Sequence, residues 1–169
     1  AAPGLCLGVR VSGDSGVGLV IAETAAAEGA DYLSVALGGS STHLGSVGIV
    51  PPPPIEENAV ASHVEGFRLG PPLMANSRVV DPGRAERLIG DGTVDAGGMT
   101  RALIADPELP VKVAAGRRIL RCIGCNACIA HYHAGTASAC AVNPRTGRER
   151  ALPRAVRGDR RGRLLVVGG

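Results

Sequence analysis

A strand pattern followed by a helix pattern recurs four times in the first 116 residues, and this alternation restricts the possible folds most. Short apolar runs that end at turn residues predict buried strands, and the segments after them are rich in helix formers. Strands joined by crossover helices pair in parallel. The predicted strands are residues 5–12, 31–37, 73–76 and 94–99, and the predicted helices are 17–28, 58–68, 81–89, 101–105 and 107–116.

Turn and cap residues add local detail to this pattern. Gly29 stands where a helix C-terminal cap belongs, and Asn58 is a candidate N-cap. The segment that follows residue 37 is rich in Gly and Ser and then contains Pro51 to Pro54, so we expect a long loop there. Cys6 lies in an apolar run and is predicted to be a small buried residue.

Two α/β architectures accept this order: an open doubly wound sheet and part of a (β/α)8 TIM barrel. A whole barrel needs about 250 residues, so four units are half of one. The sequence has 169 residues, begins without Met and stops at two glycines directly after an apolar run. We therefore expect a fragment, the C-terminal half of a barrel. No apolar run approaches the roughly 20 residues of a membrane-spanning helix.

Four of the five cysteines lie within 19 residues and have the spacing C-x2-C-x2-C-x11-C. Three closely spaced thiolates and a distant fourth are typical ligands of an iron–sulfur cluster. Zinc is an alternative because His131 and His133 follow directly, and disulfides are a third possibility. The spacing favours [4Fe–4S] over both. The four candidate ligands are Cys122, Cys125, Cys128 and Cys140.

Two predicted strand ends carry the ingredients of an anion site. Barrels commonly bind phosphate with the loops after their last two strands. Here those loops are residues 76–78, which include Ser77 and Arg78, and residues 98–101, which include Thr100 and Arg101. Small residues, backbone N–H groups and an arginine suit a phosphate. The alternative is that both arginines only cap strand ends.

Two further residues are candidates for the chemistry of the site. Arg10 lies inside an apolar strand, where a charge is costly unless it is paired. It would either stabilise the negative charge of a reduced flavin or form an ion pair in the barrel interior. His43 falls in the long loop after the second strand, at the barrel end that holds active sites. It would donate a hydrogen bond or a proton to a substrate, or be a solvated loop residue.

The C-terminal part changes character. Residues 145–163 carry a local charge of +6. Because the whole sequence has a net charge of +3, the rest of the chain has a charge of −3. No aromatic residue follows position 132, and an RNA-binding segment would usually supply stacking aromatics. A solvated inter-domain connector is the better interpretation. Residues 164–169 then look like the first strand of a dinucleotide-binding domain.

Taken together, these motifs resemble the iron–sulfur flavoenzyme branch of the old yellow enzyme superfamily. That branch includes 2,4-dienoyl-CoA reductase, trimethylamine dehydrogenase and mycofactocin-associated oxidoreductases. The cysteine stretch is the most specific match. The matching stretches are GVRVSGD (8–14), GADYLSVALG (29–38), SRVVDP (77–82), GGMTRALIADPELP (97–110), CIGCNACIAHYHAGTASAC (122–140), NPRTGRE (143–149) and LLVVGG (164–169).

The resemblance implies a (β/α)8 barrel that binds FMN, an adjacent [4Fe–4S] cluster, and a C-terminal portion for FAD and NAD(P)H. It places Arg10 beside the flavin ring and Ser77–Arg78 and Thr100–Arg101 at the FMN phosphate, and it puts His43 near the reductases' catalytic histidine. It also implies that the four cysteines of the segment are the cluster ligands. Members often have Gly where this sequence has Ser77.

The expected division is a half-barrel at 1–116, a [4Fe–4S] segment at 117–142, an Arg-rich connector at 143–163 and the start of an FAD/NAD(P) domain at 164–169. We expect a cytoplasmic oxidoreductase of ene-reductase or amine-dehydrogenase type, moving hydride and electrons between NAD(P)H, cluster, FMN and a small organic substrate. The 169 residues alone are expected to be inactive. The expected partners are that substrate and the remainder of the polypeptide, with homo-oligomers possible and neither nucleic acid nor membrane. The alternative is a zinc-binding, Arg-rich module that contacts RNA or a protein.

Overall fold

The computed structural model describes residues 4–152 and residue 165. Within them, parallel strands alternate with helices as the sequence predicts. Two short 3-10 helices, Ala59–His63 and Glu65–Phe67, precede the third strand. The strands are β1 (Gly8–Ser12), β2 (Tyr32–Ala36), β3 (Leu73–Ala75) and β4 (Ala96–Gly97), and the helices are α1 (Gly16–Ala27), α2 (His43–Ile49), α3 (Pro82–Gly90), α4 (Thr100–Ala105), α5 (Leu109–Ala114) and α6 (Ala127–His133).

The sheet order is β1-β2-β3-β4, and every described pairing is parallel. In a doubly wound sheet the strand order reverses at a switch point, whereas in a barrel each strand lies beside its sequence neighbour. The uninterrupted order therefore favours the barrel. In register, Arg10 lies beside Ser34, and Ser34 beside Met74, so these side chains share one face of the sheet.

The opposite face of the sheet carries the main core. Leu33, Val35 and Leu73 are fully buried there and pack against residues of the helical layer. The 3-10 helices cover part of this core, and their residues Val60 and Val64 are also fully buried in it. The polar row that includes Arg10 is thereby left on the other face, which is where the functional residues collect.

Side-chain caps explain where the two longest helices begin. The Ser15 hydroxyl accepts a hydrogen bond from the Gly18 N–H at 3.0 Å, and the Asp81 carboxylate accepts one from the Gly83 N–H at 2.9 Å. Each satisfies an N–H group that the helix cannot pair. Helix α1 ends before Gly29, whose φ of 87° confirms the predicted C-terminal cap.

Three local predictions are wrong. Residues 58–68 form 3-10 helices because Asn58 adopts φ 62° and makes no side-chain cap bond, so the first turn closes tightly from Asn58 O to Ala61 N. The loop expected after residue 37 contains α2, which Thr42 starts by accepting from Gly45 N at 2.9 Å. Cys6 is exposed because it precedes the first paired residue of β1, at the edge of the described sheet.

The predicted nucleotide-domain strand, residues 164–169, and the later part of the Arg-rich connector fall outside the described residues, apart from an exposed Leu165. Among the residues that are described, no helix has the length and apolar character needed to cross a membrane.

Close contact between α1 and β1 generates a prediction at Gly18. A Cβ atom there would lie 2.0 Å from the backbone oxygen of Ser12. Gly18→Ala should therefore lower the free energy of unfolding by about 2 kcal/mol, although alanine favours helix by about 1 kcal/mol. Denaturant unfolding of the purified protein measures the change.

Gly16→Ala is the matched control in the same helix, because a Cβ atom at Gly16 meets no heavy atom within 4 Å. Its free energy of unfolding should be unchanged or slightly higher. Equal stability of the two variants would show that Gly18 is not a close-contact position.

Candidate functional site

A recess of about 670 Å³, counting its solvent-open part, lies at the carboxyl ends of β3 and β4. We call it the anion recess. It brings together every cofactor-binding residue predicted from the sequence, and Asn76 and Gly98 also line it. The carboxyl ends of parallel barrel strands are where such sites form. The predicted residues that line it are Arg10, Ser77, Arg78, Thr100 and Arg101.

Two consecutive left-handed residues form the turn after β3. Ser77 has φ 71° and Arg78 has φ 59°, a conformation that non-glycine residues rarely adopt. Ser77 is buried, and its hydroxyl accepts a hydrogen bond from the Leu37 N–H at 2.9 Å. The bond satisfies the buried N–H group of Leu37. Its free energy offsets the cost of holding a serine, in place of glycine, in the left-handed conformation. A serine thus holds the backbone shape at this position.

The Arg78 side chain is directed into the loop that precedes the 3-10 helices. Its Nη1 donates to the carbonyl oxygen of Pro52 at 3.1 Å and also to that of Ile55. Its Nε atom is buried and has no partner within the described residues. An unpartnered N–H on a guanidinium at the wall of a recess suits an anionic ligand.

Arg101 lies at the start of α4 and is only 7% exposed. Its Nη1 donates to the Pro51 oxygen at 3.2 Å and to Asn126 Oδ1 at 2.5 Å. Its Nη2 is buried without a partner among the described residues. Burial lowers the pKa of Arg101, and negative charge on nearby cysteines opposes that effect. Arg78 and Arg101 thus each line the recess and each keep one buried N–H group without a partner among the described residues.

Arg10 differs from the expectation of a buried charge. It is exposed, and no ion pair to it is found among the described residues. It projects from the polar face of β1 and is one of the residues that line the anion recess. The predicted interior ion pair is therefore absent from the described part of the chain.

His43 is the first residue of α2, not part of a loop as its Gly- and Ser-rich surroundings predict. Its backbone lies on the segment between β2 and the proline run, and the placement of its side chain is outside what the structure describes. The catalytic role of His43 stays a prediction.

A second recess, which we call the cysteine recess, lies next to the anion recess. All four predicted ligands line it: Cys122, Cys125, Cys128 and Cys140. The turns around them are tight because Gly124 has φ 71° and Asn126 has φ 57°. The Gly124 N–H donates a hydrogen bond to Cys122 Sγ at 3.4 Å. Arg101 lines both recesses.

The cysteine recess is lined by the four cysteines and not by the neighbouring histidines. The cysteines are free thiols, so the disulfide alternative finds no support. Within the described residues, no three Cys, His, Asp or Glu side chains lie close enough to hold one ion. His131 contacts Thr136 at 2.9 Å and does not line the cysteine recess.

A buried carboxylate holds the start of residues 117–142, which we call the cysteine segment. Asp106, 1% exposed, accepts hydrogen bonds from Lys112 Nζ at 2.8 Å and from the Leu120 N–H at 2.8 Å. Burial raises the pKa of Asp106, but the hydrogen bonds from Lys112, Leu120 and Glu108 outweigh it and hold that pKa below its ordinary value of 3.8. The chain is thereby held two residues before Cys122.

Two amides and a hydroxyl complete the attachment of the segment. Asn143 Nδ2 and Thr146 Oγ1 both donate to the Ile104 oxygen, at 3.0 and 3.2 Å, and both residues are buried. Asn126 Nδ2 donates to the Val50 oxygen at 2.7 Å. The expected solvated connector is therefore packed against α4 where it begins. The family-like stretches of the sequence include these residues, but no sequence signal assigned them a contact.

Comparisons with known proteins agree with this geometry, although no protein-family model matches the chain. A metal reductase of Desulforamulus reducens is 39% identical over 100 residues, 57% of this chain and 15% of that protein. The N,N-dimethylglycine/sarcosine dehydrogenase of Chromohalobacter salexigens is 34% identical over 148 residues, 82% of this chain and 21% of that protein. The chain thus spans 15 to 21% of the length of these relatives.

A solved structure decides the architecture. Histamine dehydrogenase from Rhizobium sp. 4-9 is 28% identical, with a TM-score of 0.72 over 85% of this chain and 22% of that chain. The structural neighbours are TIM-barrel enzymes, which confirms the prediction of a half-barrel and excludes the doubly wound sheet.

The Asp106 attachment predicts an acid-sensitive junction. Because the folded pKa of Asp106 is lowered, its stabilisation is complete above the unfolded pKa and is lost as the pH falls through the folded value, below 3.8. Asp106→Asn should destabilise the protein by about 3 kcal/mol at neutral pH, since it removes the buried carboxylate 2.8 Å from Lys112 Nζ and leaves only Glu108, at 4.0 Å, as an ion-pair partner. Amide exchange at Leu120 and denaturant unfolding measure both effects.

Asp91→Asn is a control at an exposed carboxylate whose pKa is lowered by hydrogen bonds from Thr93. It should leave exchange at Leu120 unchanged. Unaltered exchange at Leu120 in Asp106→Asn would contradict the attachment.

Proposed function

The chain belongs to the iron–sulfur flavoenzyme branch of the old yellow enzyme superfamily, and from this we propose that it carries the FMN phosphate site and the [4Fe–4S] site of an oxidoreductase. One observation carries the proposal. The five expected FMN-contacting residues line one recess, the four expected cluster ligands line the next, and Arg101 belongs to both walls.

Phosphate binding is the role proposed for the turns after β3 and β4. The free Nε of Arg78 and the free Nη2 of Arg101 would donate to phosphate oxygens, and the left-handed backbone at Ser77 keeps the turn open beside them. Thr100 supplies a hydroxyl at the same wall. These groups bind and orient, because guanidinium groups stay charged at any physiological pH.

Arg10 and His43 are assigned to the reacting end of the site. Arg10 projects from the sheet face and lines the anion recess, where its charge would favour a reduced flavin ring. His43 would hold or donate a proton to the substrate. When bound, FMN supplies hydride transfer and the cluster supplies one-electron transfer. Cys122, Cys125, Cys128 and Cys140 would hold the cluster.

The proposed organisation is a half-barrel at 1–116, a cluster segment at 117–142, a connector at 143–163 and the start of an FAD/NAD(P) domain at 164–169. For the whole protein we propose a cytoplasmic enzyme that uses NAD(P)H and acts on a small organic substrate. Two relatives are named as dehydrogenases of amines, dimethylglycine or sarcosine and histamine, and another is named 2-naphthoyl-CoA reductase, so the proposal includes both the amine-dehydrogenase and the ene-reductase type.

Metal analysis tests the cluster half of the proposal. Protein purified without oxygen should contain about four iron and four acid-labile sulfide per chain and absorb visible light. Cys128→Ser should lose most of both. Cys6→Ser is the matched control, because Cys6 is exposed and far from the segment in sequence, and it should keep them. One zinc per chain without sulfide would contradict the proposal and favour a zinc module.

Flavin titration tests the phosphate half. Arg78→Ala should weaken FMN binding about tenfold or more, since a charge-assisted hydrogen bond is worth about 1.5–3 kcal/mol. Riboflavin, which lacks the phosphate, should bind the variant as it binds the parent. Arg84→Ala removes a half-buried arginine of α3 that lies 4.0 Å from Glu56, outside the anion recess, and should change neither affinity. Equal losses for FMN and riboflavin would show that Arg78 supports the loop and not the phosphate.

A further inference from the structure

Arg101 occupies the wall between the two recesses and is fastened to both sides of it. Its Nη1 donates to the Pro51 oxygen at 3.2 Å on one side and to Asn126 Oδ1 at 2.5 Å on the other. The buried Nη2 has no partner within the described residues. One guanidinium is therefore fixed by two bonds while a further donor stays free.

Asn126 directs this guanidinium toward the cysteines. It lies between Cys125 and Cys128 in a left-handed conformation, and its Nδ2 is held by the Val50 oxygen at 2.7 Å. An amide bonded at both ends cannot rotate freely, so it fixes the Arg101 head group against the cysteine run. The positive charge thus has a fixed distance from the thiols.

The charge is also poorly screened. Arg101 is 7% exposed, and Cys122, Cys125 and Cys128 line the recess whose wall it forms. In a medium of low dielectric constant, a nearby positive charge favours the state that carries more negative charge. For an iron–sulfur centre that state is the one-electron-reduced form, and such charges are among the factors that set its potential.

We propose that Arg101 serves both recesses, as a donor to the phosphate and as a positioning residue whose fixed charge raises the reduction potential of the centre on the cysteines. This inference rests on the proposed function. It makes the anion affinity of one recess and the reduction potential of the centre in the other depend on the same side chain. A change at Arg101 should therefore alter anion affinity and cluster potential together.

The test uses the iron–sulfur-loaded protein, and it measures the affinity for inorganic phosphate and for FMN and the cluster potential by dye-mediated EPR titration. Arg101→Gln should weaken both affinities about tenfold. It should also shift the oxidised-to-reduced ratio about tenfold toward the oxidised form, a fall of about 59 mV for a one-electron couple. Arg101→Lys keeps the charge but not the planar fork, so it should retain the potential and lose affinity.

Arg121→Gln is the matched control. It removes the same charge next to Cys122, but Arg121 is 54% exposed and already paired with Glu57 and Asp81 at 3.1 and 3.0 Å. Its cluster potential and phosphate affinity should stay close to those of the parent.

The outcomes separate two kinds of failure. A parent protein without iron and sulfide, or without phosphate and FMN binding, would overturn the proposed function and this inference with it. A loaded, phosphate-binding parent in which Arg101→Gln and Arg121→Gln give the same potential would overturn this inference alone. A fall in potential as large in Arg101→Lys as in Arg101→Gln would likewise overturn only this inference.

Discussion

The buried carboxylate of Asp106 is the contact on which the arrangement of both recesses depends. A charge this deeply buried is stable only when it is paired and hydrogen-bonded, and Asp106 gains an ammonium and two backbone N–H groups. The Leu120 N–H is the partner that matters for function, because it brings the chain from α5 back to α4. From there the cysteine segment runs along the wall that Arg101 forms.

Further contacts of the cysteine segment and of the residues after it are also hydrogen bonds to residues of α4. Helix α4 offers a carbonyl oxygen at Ile104 to Asn143 and Thr146, and a guanidinium at Arg101 to Asn126. Helix α4 thus forms hydrogen bonds with residues up to 42 positions further along the chain, as between Ile104 and Thr146. The barrel units and the segment that carries the four cysteines are joined by a few polar contacts and by the small apolar cluster of Val80, Ala102 and Leu109.

Much of this organisation could be predicted because it follows from periodicity and spacing. Four strand–helix units, the cap at Gly29, the cysteine spacing and the paired arginine loops all carry local signals, and the structure groups them as expected. What could not be predicted depends on contacts between distant residues. The burial of Asp106 and the bonds of Asn126 join segments that are 14 to 76 positions apart, and no local pattern encodes them. Asn58 shows a second limit, since its side chain suits a cap while its backbone takes a conformation that forms none.

The identity of the cation beside Asp106 has a practical consequence. Lys112 is the single lysine among 18 basic residues of the sequence, and its side chain is largely buried in this ion pair. An amine-specific reagent therefore has one side-chain target in these 169 residues, at the joint between barrel and cluster segment. The rate at which Lys112 reacts would report how often its ion pair with Asp106 opens. The presence of one lysine therefore makes local opening at this position measurable.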